Sequence, residues 1–366
     1  MTLDIVWLFR WFQESVMAVP GRVVALIFIL FLFLLPLITT DPSALRIITL
    51  TSIFALYAAS WDVLSGFTGQ VSFGHGLFFG VSAYTSAMLN KYFLLPVWVT
   101  IPIGSFGGIL VGLIAGIPAL RLRGFYLGLV TLAFPIILAG IIFVFPDVTG
   151  GEVGIYGLTR LSGSPTLNYY IIVLIMICSL LIMYKLTDAG SKFLRTGLIF
   201  RAIKEDEITA RASGIDTMKY KLVAFGASGF FAGIAGGLYA HYMRVAGPST
   251  LELFFSFSPI LWTIFGSMAT IYGPVAGTFI LFPFMEIIRF SRFGEETRYI
   301  FFAFILILFL IFMPEGLTVW VRDKIEIKCQ RCKLINIMTR KYCRACRAPL
   351  HMEEENYLIK EKGGTN

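Results

Sequence analysis

Long apolar runs separated by short polar breaks dominate the pattern along the chain. A run of roughly 17–25 apolar residues crosses a bilayer as a helix, because hydrocarbon offers the backbone no partner outside the helix itself. About ten runs near this length are predicted as spans: 23–38, 45–64, 67–89, 97–120, 125–145, 169–184, 222–242, 257–270, 275–288 and 299–313. The third is Gly-rich and partly polar, which leaves open whether it crosses or re-enters. The pair split at Ile271-Tyr272-Gly273-Pro274 reads as two helices rather than one broken helix. A β-barrel is excluded, since its strands alternate apolar and polar residues.

Composition sharpens this picture. Of 366 residues, 57% are hydrophobic and only 14% charged; a soluble domain carries about 25% charged residues. An ordinary soluble enzyme is thereby excluded, and so is disorder. The net charge of +8 reads first as topology. With the N-terminus inside, 23 of the 30 Lys and Arg fall in cytoplasmic segments, while Arg46, Lys91, Arg160, Arg244, Arg289, Arg292 and Arg298 fall outside. Both ends are therefore expected in the cytoplasm of a multi-pass cell-membrane protein. Merging 257–288 into one span would put the basic tail outside. The first run starts late and lacks a small-residue cleavage site, so it reads as an uncleaved signal anchor. The expected organisation is a cytoplasmic segment 1–22, a membrane domain 23–314 with a cytoplasmic loop 185–221, a linker 315–327, a cysteine module 328–351 and a polar tail 352–366.

Cys178 stands alone in an apolar span and reads as a small packing residue. The other four cysteines form Cys329-x2-Cys332-x10-Cys343-x2-Cys346. Two CxxC knuckles present four thiolates to one tetrahedral structural zinc, as in a zinc ribbon. Disulfides and a redox pair are the competing readings; a cytoplasmic location disfavours the first and the absence of a βαβ pattern the second. The eight basic residues between 324 and 347 are expected to meet anionic lipid headgroups, and no nucleic-acid partner is expected.

Within the cytoplasmic loop, 201–213 reads as one short helix, with Glu205, Asp206 and Glu207 early and Gly214 ending it. Ala202, Ile208, Ala212 and Ile215 make a narrow apolar stripe that would seat in a groove on another protein or lie on lipid. Inside the membrane, polar groups beside glycines suggest a path, because irregular backbone is tolerated only beside a cavity or buried in protein. By that reasoning Gln70, Ser72 and His75, with Thr68, are the translocation-path candidates. A buried histidine bonded to a neighbouring helix is the competing reading of His75. Asp62 and Glu286 read as interfacial acids near span ends.

Catalysis finds little support. No Gly-x4-Gly-Lys-Ser/Thr phosphate loop is present, so ATP is not expected to bind here. Ser228, in Gly226-Ala-Ser228-Gly229, precedes His241 by thirteen residues. On one helix that is about 20 Å, too far for a nucleophile and its base. A secondary transporter would need an acid inside the bundle, whereas the acids here sit mostly at span ends.

Several stretches carry a specific resemblance. They are Ser60-Trp-Asp-Val-Leu-Ser-Gly-Phe-Thr-Gly69-Gln-Val-Ser-Phe-Gly-His75-Gly, Arg121-Leu-Arg-Gly-Phe-Tyr-Leu-Gly-Leu-Val-Thr-Leu-Ala-Phe134, 201–214 followed by Tyr220-Lys-Leu, Ala232-Gly-Ile-Ala-Gly-Gly-Leu-Tyr-Ala240, Ile271-Tyr-Gly-Pro-Val-Ala-Gly277 and Pro314-Glu-Gly-Leu317. Together they resemble the permeases of ATP-driven importers for branched-chain amino acids, in particular the second of the two permease types. The resemblance implies an all-α polytopic permease with no catalytic site of its own. It implies a coupling helix over 201–216, with Arg201, Glu205, Glu207, Ile208, Thr209, Ala210, Ala212 and Gly214 meeting a separate cytoplasmic ATPase that binds the ATP. It also implies a sister permease and an extracytoplasmic substrate-binding protein. The family's Glu-Ala-Ala is Ile208-Thr209-Ala210 here, its later Leu-Pro is missing, and the cysteine tail lies outside the family core. Branched-chain amino acids, other amino acids, urea and short amides remain open as substrates.

Overall fold

The computed structural model describes residues 20–39, 41–122, 124–191, 195–289, 295–332, 335–338, 342–343 and 346–350. Most of the expected segment 1–22, all of the tail 352–366, and Arg123, Arg292, Lys333, Arg340, Lys341 and Arg344 lie outside the described residues. The chain is an all-α polytopic membrane protein with a small four-cysteine module near its C-terminus. Apart from the single turn Pro146–Thr149, its α-helices are α1 (Pro20–Ile38), α2 (Pro42–Thr68), α3 (Gly76–Phe93), α4 (Val97–Ala119), α5 (Phe125–Val144), α6 (Pro165–Thr187), α7 (Thr196–Glu205), α8 (Glu207–Ala212), α9 (Thr217–Met243), α10 (Leu253–Gly266), α11 (Tyr272–Arg289), α12 (Glu295–Phe312) and α13 (Leu317–Ile325).

Among the described residues, six stretches are long and apolar enough to cross a membrane: α2, α4, α5, α6, α9 and Ile300–Ile325. Val23–Ile38, α10 and Tyr272–Ile288 are shorter apolar helices. The run 67–89 is corrected. Residues 67 and 68 finish α2, the backbone is irregular from Gly69 to His75, and α3 begins only at Gly76. Ser82, Thr85, Ser86 and Asn90 put four polar side chains on α3. The run 257–270 is corrected too: α10 ends at Gly266, and 267–271 is a tight loop from which α11 turns back.

Two compact units are described separately: Thr39–Thr318, and Met1–Ile38 with Val319–Asn366. In the first, α2 is the central helix. Asp41 caps it by accepting from the Ser43 amide (3.0 Å), and Pro42 starts it. From Thr49 to Thr68 every residue is buried. Its hydroxyls donate back to carbonyls one turn earlier, Thr49 to Leu45, Ser52 to Ile48 and Thr68 to Leu64, which is how polar side chains survive in an apolar core. Around it α6, α9, α10 and α11 pack, and Phe79 of α3 reaches Phe54 and Tyr57; α4, α5 and α6 leave large apolar side chains exposed, among them Phe106, Leu110, Ile136 and Leu174. Such a surface requires lipid or another apolar partner. Cys178 is exposed on α6, so it does not pack inside the unit.

Contacts sort into two ends of this unit. At one end β1 (Ile155–Tyr156) pairs antiparallel with β2 (Val245–Ala246), and the Lys91 ammonium donates to the Tyr156 carbonyl (3.3 Å). At the other, the end of α2 meets the 267–271 loop, and the Thr318 hydroxyl donates to the Gly266 carbonyl (2.8 Å). Successive helices thus alternate in direction. Asp62 is corrected here. It is fully buried within the protein, and its carboxylate accepts from the amides of Ala269 (2.8 Å) and Thr270 (3.0 Å).

In the second unit, β3 (Glu326–Lys328) and β4 (Ile335–Ile337) form an antiparallel ladder with Ile327 opposite Asn336. The Cys343 amide donates to the Ala348 carbonyl (2.8 Å) and Tyr342 bridges Pro349. This is a short hairpin followed by a turn, with the cysteines in its bends.

Candidate functional site

The irregular segment after α2 is held by side chains rather than by a ladder. Trp61 Nε1 donates to the Ser72 carbonyl (2.7 Å), Ser65 Oγ donates to the Gln70 carbonyl (3.0 Å), and the Phe73 amide donates to Thr131 Oγ1 on α5 (3.0 Å). Backbone freed from a helix inside a membrane needs such partners. Among the path candidates, Thr68, Ser72 and His75 are buried and Gln70 is half-buried. His75 Nε2 lies 2.9 Å from Ser60 Oγ, and its ring stacks on Tyr57 at 5.1 Å. It is thus a buried histidine bonded to a neighbouring helix.

Ser228 and His241 sit in different networks. The Ser228 hydroxyl donates to the Ser60 carbonyl (2.7 Å). His241 Nε2 is 3.0 Å from both Ser86 Oγ and Thr100 Oγ1, and its Nδ1 is 2.9 Å from the Thr159 carbonyl. The geometry forms no Ser–His pair from these two residues.

The segment 201–214 is two helices, not one. At Asp206 the backbone is extended (φ −155°, ψ 108°), which ends α7 and starts α8. The cause is an N-cap: Asp206 Oδ1 accepts from the amides of Ile208 (2.8 Å) and Thr209 (3.3 Å), and Oδ2 accepts from Thr209 Oγ1 (2.5 Å). These bonds, that of the Thr209 hydroxyl foremost, hold the Asp206 carboxyl below its ordinary range. Gly214, at φ 83°, ends the second helix as the sequence predicts. Glu207 ties this elbow to the base of α9. Its Oε2 accepts from the buried Lys221 ammonium (2.6 Å), and its Oε1 from Arg211 (3.0 Å) and from the Thr217 hydroxyl (3.3 Å). Arg201 lies over the Phe67 ring at 6.0 Å, so α7 touches the end of α2. Along the apolar stripe Ile208 is 68% exposed and Ala212 is exposed, while Ala202 and Ile215 are half-buried; Ala210, a coupling candidate outside that stripe, is buried.

The four cysteines converge. Cys329 and Cys346 sulfurs are 3.5 Å apart, Cys332 and Cys343 sulfurs 3.4 Å, and all four lie within 4.8 Å of one another. Thiolates at about 2.3 Å from one tetrahedral zinc lie about 3.8 Å apart, so this set could hold one metal ion. A disulfide, at about 2.05 Å, is far shorter than either pair.

Sequence reasoning missed a cavity of about 190 Å³ in the membrane unit. Its walls are successive turns of facing helices: Arg46, Leu50 and Phe54 on α2, Tyr239 and Met243 on α9, Phe254, Ser258 and Trp262 on α10, and Phe282 and Glu286 on α11. The signal was the four-residue repeat, which places each set on one helix face.

Comparison with known proteins accords with this geometry. Residues 43–310 match the family described as branched-chain amino acid transport system, permease component. The chain is 29% identical to the high-affinity branched-chain amino acid transport system permease protein LivM of Salmonella typhimurium, over 78% of this chain and 72% of that protein. The Escherichia coli LivM is also 29% identical, over 77% and 71%. A probable branched-chain amino acid transport permease protein LivH of Methanocaldococcus jannaschii is 27% identical, over 69% and 84%. No solved structure matches. With the family match covering most of its length, and with a bundle of membrane helices to carry it, the chain belongs to the branched-chain amino acid transport permease family.

Proposed function

We propose that the chain is the translocation subunit of an ATP-binding-cassette importer, moving branched-chain amino acids or related small amino acids across the cell membrane by alternating access. A separate cytoplasmic ATPase binds and hydrolyses the ATP, a sister permease completes the path, and an extracytoplasmic binding protein delivers the substrate. Both termini lie in the cytoplasm. The chain has no catalytic site of its own.

The observation that carries this reading is the elbow of α7 and α8. An exposed apolar residue, Ile208, sits on a short capped helix. The Glu207–Lys221 pair fixes that helix to α9, and Arg201 sets α7 against the end of α2. Displacement of the elbow by a docked motor would therefore reach α9 and α2 directly, as rigid-body switching requires. At the end of α2 the helix breaks into the segment 69–75. There Gln70 meets the path, while Thr68, Ser72 and His75 set its wall from behind. In the cytoplasmic module, Cys329, Cys332, Cys343 and Cys346 hold one structural zinc.

The test is ATP-dependent amino-acid uptake in proteoliposomes containing the chain and its partner subunits. Ile208→Glu should lower uptake by about tenfold or more, the effect of losing an apolar anchor from an interface. ATP hydrolysis should persist without coupled uptake. Undiminished uptake would remove the elbow from the mechanism. The isolated chain should hydrolyse no ATP, and hydrolysis by a pure sample would contradict the division of labour.

A further inference from the structure

We propose that α13 and the basic module behind it dock on an anionic lipid surface, with α13 lying in the plane of the headgroups and Trp320, Val321 and Ile325 as its apolar anchor. The proposal goes beyond the importer reading, which assigns the end of the chain only a structural metal.

The helix itself is the first argument. α13 has nine residues, and none of them is buried. An isolated helix shorter than about 12–15 residues is marginal in water, and no buried side chain anchors this one within the chain. Yet it exposes Trp320, Val321 and Ile325, each by more than a third. Leu317, Trp320, Val321 and Lys324 stand three and four positions apart, so they share one face. On that face the Lys324 ammonium folds back over the Trp320 ring, 3.7 Å from its centre. An apolar stem beside an aromatic ring, with the charge at its tip, is how a side chain reaches from the acyl boundary to the headgroups. Arg322 and Asp323, paired with each other (3.2 Å), lie on the other side.

Reach and charge are the second and third arguments. Four residues, 313–316, separate α13 from the end of α12. They span at most about 14 Å, so chain length alone keeps α13 close to the headgroups beside a membrane-crossing α12. The span cannot simply continue, because Gly316 turns the backbone (φ 90°) and Arg322, Asp323 and Lys324 would enter hydrocarbon. Between 319 and 350 nine Lys and Arg stand against two acids, Asp323 and Glu326, a surplus of seven, of which a four-thiolate zinc centre would offset two. Lys324, Arg331 and Arg347 are exposed. Each basic residue near an anionic bilayer strengthens its hold about fivefold. A nucleic acid would use the charge and leave the apolar face of α13 uncovered, whereas an anionic bilayer meets both.

The full chain in lipid nanodiscs tests the docking, in phosphatidylcholine alone or mixed with phosphatidylglycerol in equal parts. The probe is acetylation of the Lys324 amine, read by peptide mass spectrometry relative to Lys219, an exposed lysine at the start of α9. Lys324 should react about fivefold or more slowly in the mixed nanodiscs, and high salt should restore its rate by screening. Trp320→Ser removes the aromatic anchor, and Arg331→Glu with Arg347→Glu reverses two charges; each change should bring Lys324 back toward its rate in phosphatidylcholine. Trp320→Ser lies outside the cysteine module, so it tests α13 even if the charge reversal unfolds that module. Equal Lys324 rates in the two lipids, or slowing that Trp320→Ser leaves intact, would overturn the docking while the importer reading stands. Slowing by added RNA or by the partner subunits in phosphatidylcholine, with no effect of phosphatidylglycerol, would overturn it too and assign the face to nucleic acid or to protein.

Discussion

Replacing Asp62 with alanine should destabilise the membrane unit by up to about 2–6 kcal/mol, because two half-buried amides would each lose their acceptor, at a cost of about 1–3 kcal/mol for a fully buried group. The amides are those of Ala269 and Thr270, and Asp62 is itself fully buried. The loop they belong to cannot stand unaided. Ser267 has φ 134° and Ala269 φ 58°, both in the region that side chains other than glycine avoid. Such backbone persists only when its surroundings over-determine it. Here the surroundings are the Asp62 carboxylate, the Thr270 hydroxyl donating to the Ser267 carbonyl (3.1 Å) and the Thr318 hydroxyl donating to the Gly266 carbonyl (2.8 Å). Asp62→Asn keeps one acceptor but turns a donor toward the second amide, so it should recover less than half of the loss. Gly66→Ala should behave like Asp62→Ala, since a β-carbon there would run into Asp62 Oδ1 and come within 2.8 Å of the Ala269 nitrogen. Thermal unfolding of the purified chain in detergent is the measurement. A midpoint lowered by at least about 5 °C is expected for Asp62→Ala; a midpoint unchanged from wild type would show that water or a shifted backbone replaces the carboxylate.

Asp62 also shows where the sequence stops being informative. Hydropathy places an acid near the end of a run at the interface, because lipid punishes a bare charge. Its true partners lie 207 and 208 positions away, and no local pattern announces them. The same limit explains the run 67–89. Averaged over its length it is apolar, yet Ser65, Trp61 and Thr131 take over the backbone hydrogen bonds and let the helix break. Cys178 was legible as membrane-embedded but not as outward-facing, since a helix apolar on every side carries no marker of its inner face. The split at Asp206 has a local signature, since an aspartate before a short Glu-led helix is an N-cap, but the same early acids equally fit the dipole of one longer helix. What could be read directly were the apolar runs, the stop at Gly214 and the cysteine spacing, because each depends on local chemistry.

Removal of metal from the tail should produce the larger loss. Three-residue strands do not hold together in water by themselves, and β3 and β4 are three residues each. Few side chains of the module are buried among the described residues, chiefly Cys329, Cys343 and Asn336. The Asn336 amide points at the Cys343 sulfur (3.5 Å), and the Cys332 backbone amide beside Cys329 holds that thiol below its ordinary range. Both features favour thiolate, the form that binds metal. With so little apolar burial among the described residues, a bound ion would be the main source of folding free energy; structural zinc supplies about 10–16 kcal/mol in small modules of this kind. The full-length protein should therefore carry one zinc per chain by elemental analysis. Cys343→Ser should lose it and open the module to trypsin at Lys328, Arg331 and Arg347. Since zinc must displace protons from four thiols, affinity should fall as pH falls, and the ion should leave a wild-type sample on mild acidification before the membrane helices unfold. Metal-free protein with a trypsin pattern identical to that of Cys343→Ser would mean that the hairpin holds its four sulfurs together without an ion, and the stability of the module would then have to come from packing that three-residue strands do not provide.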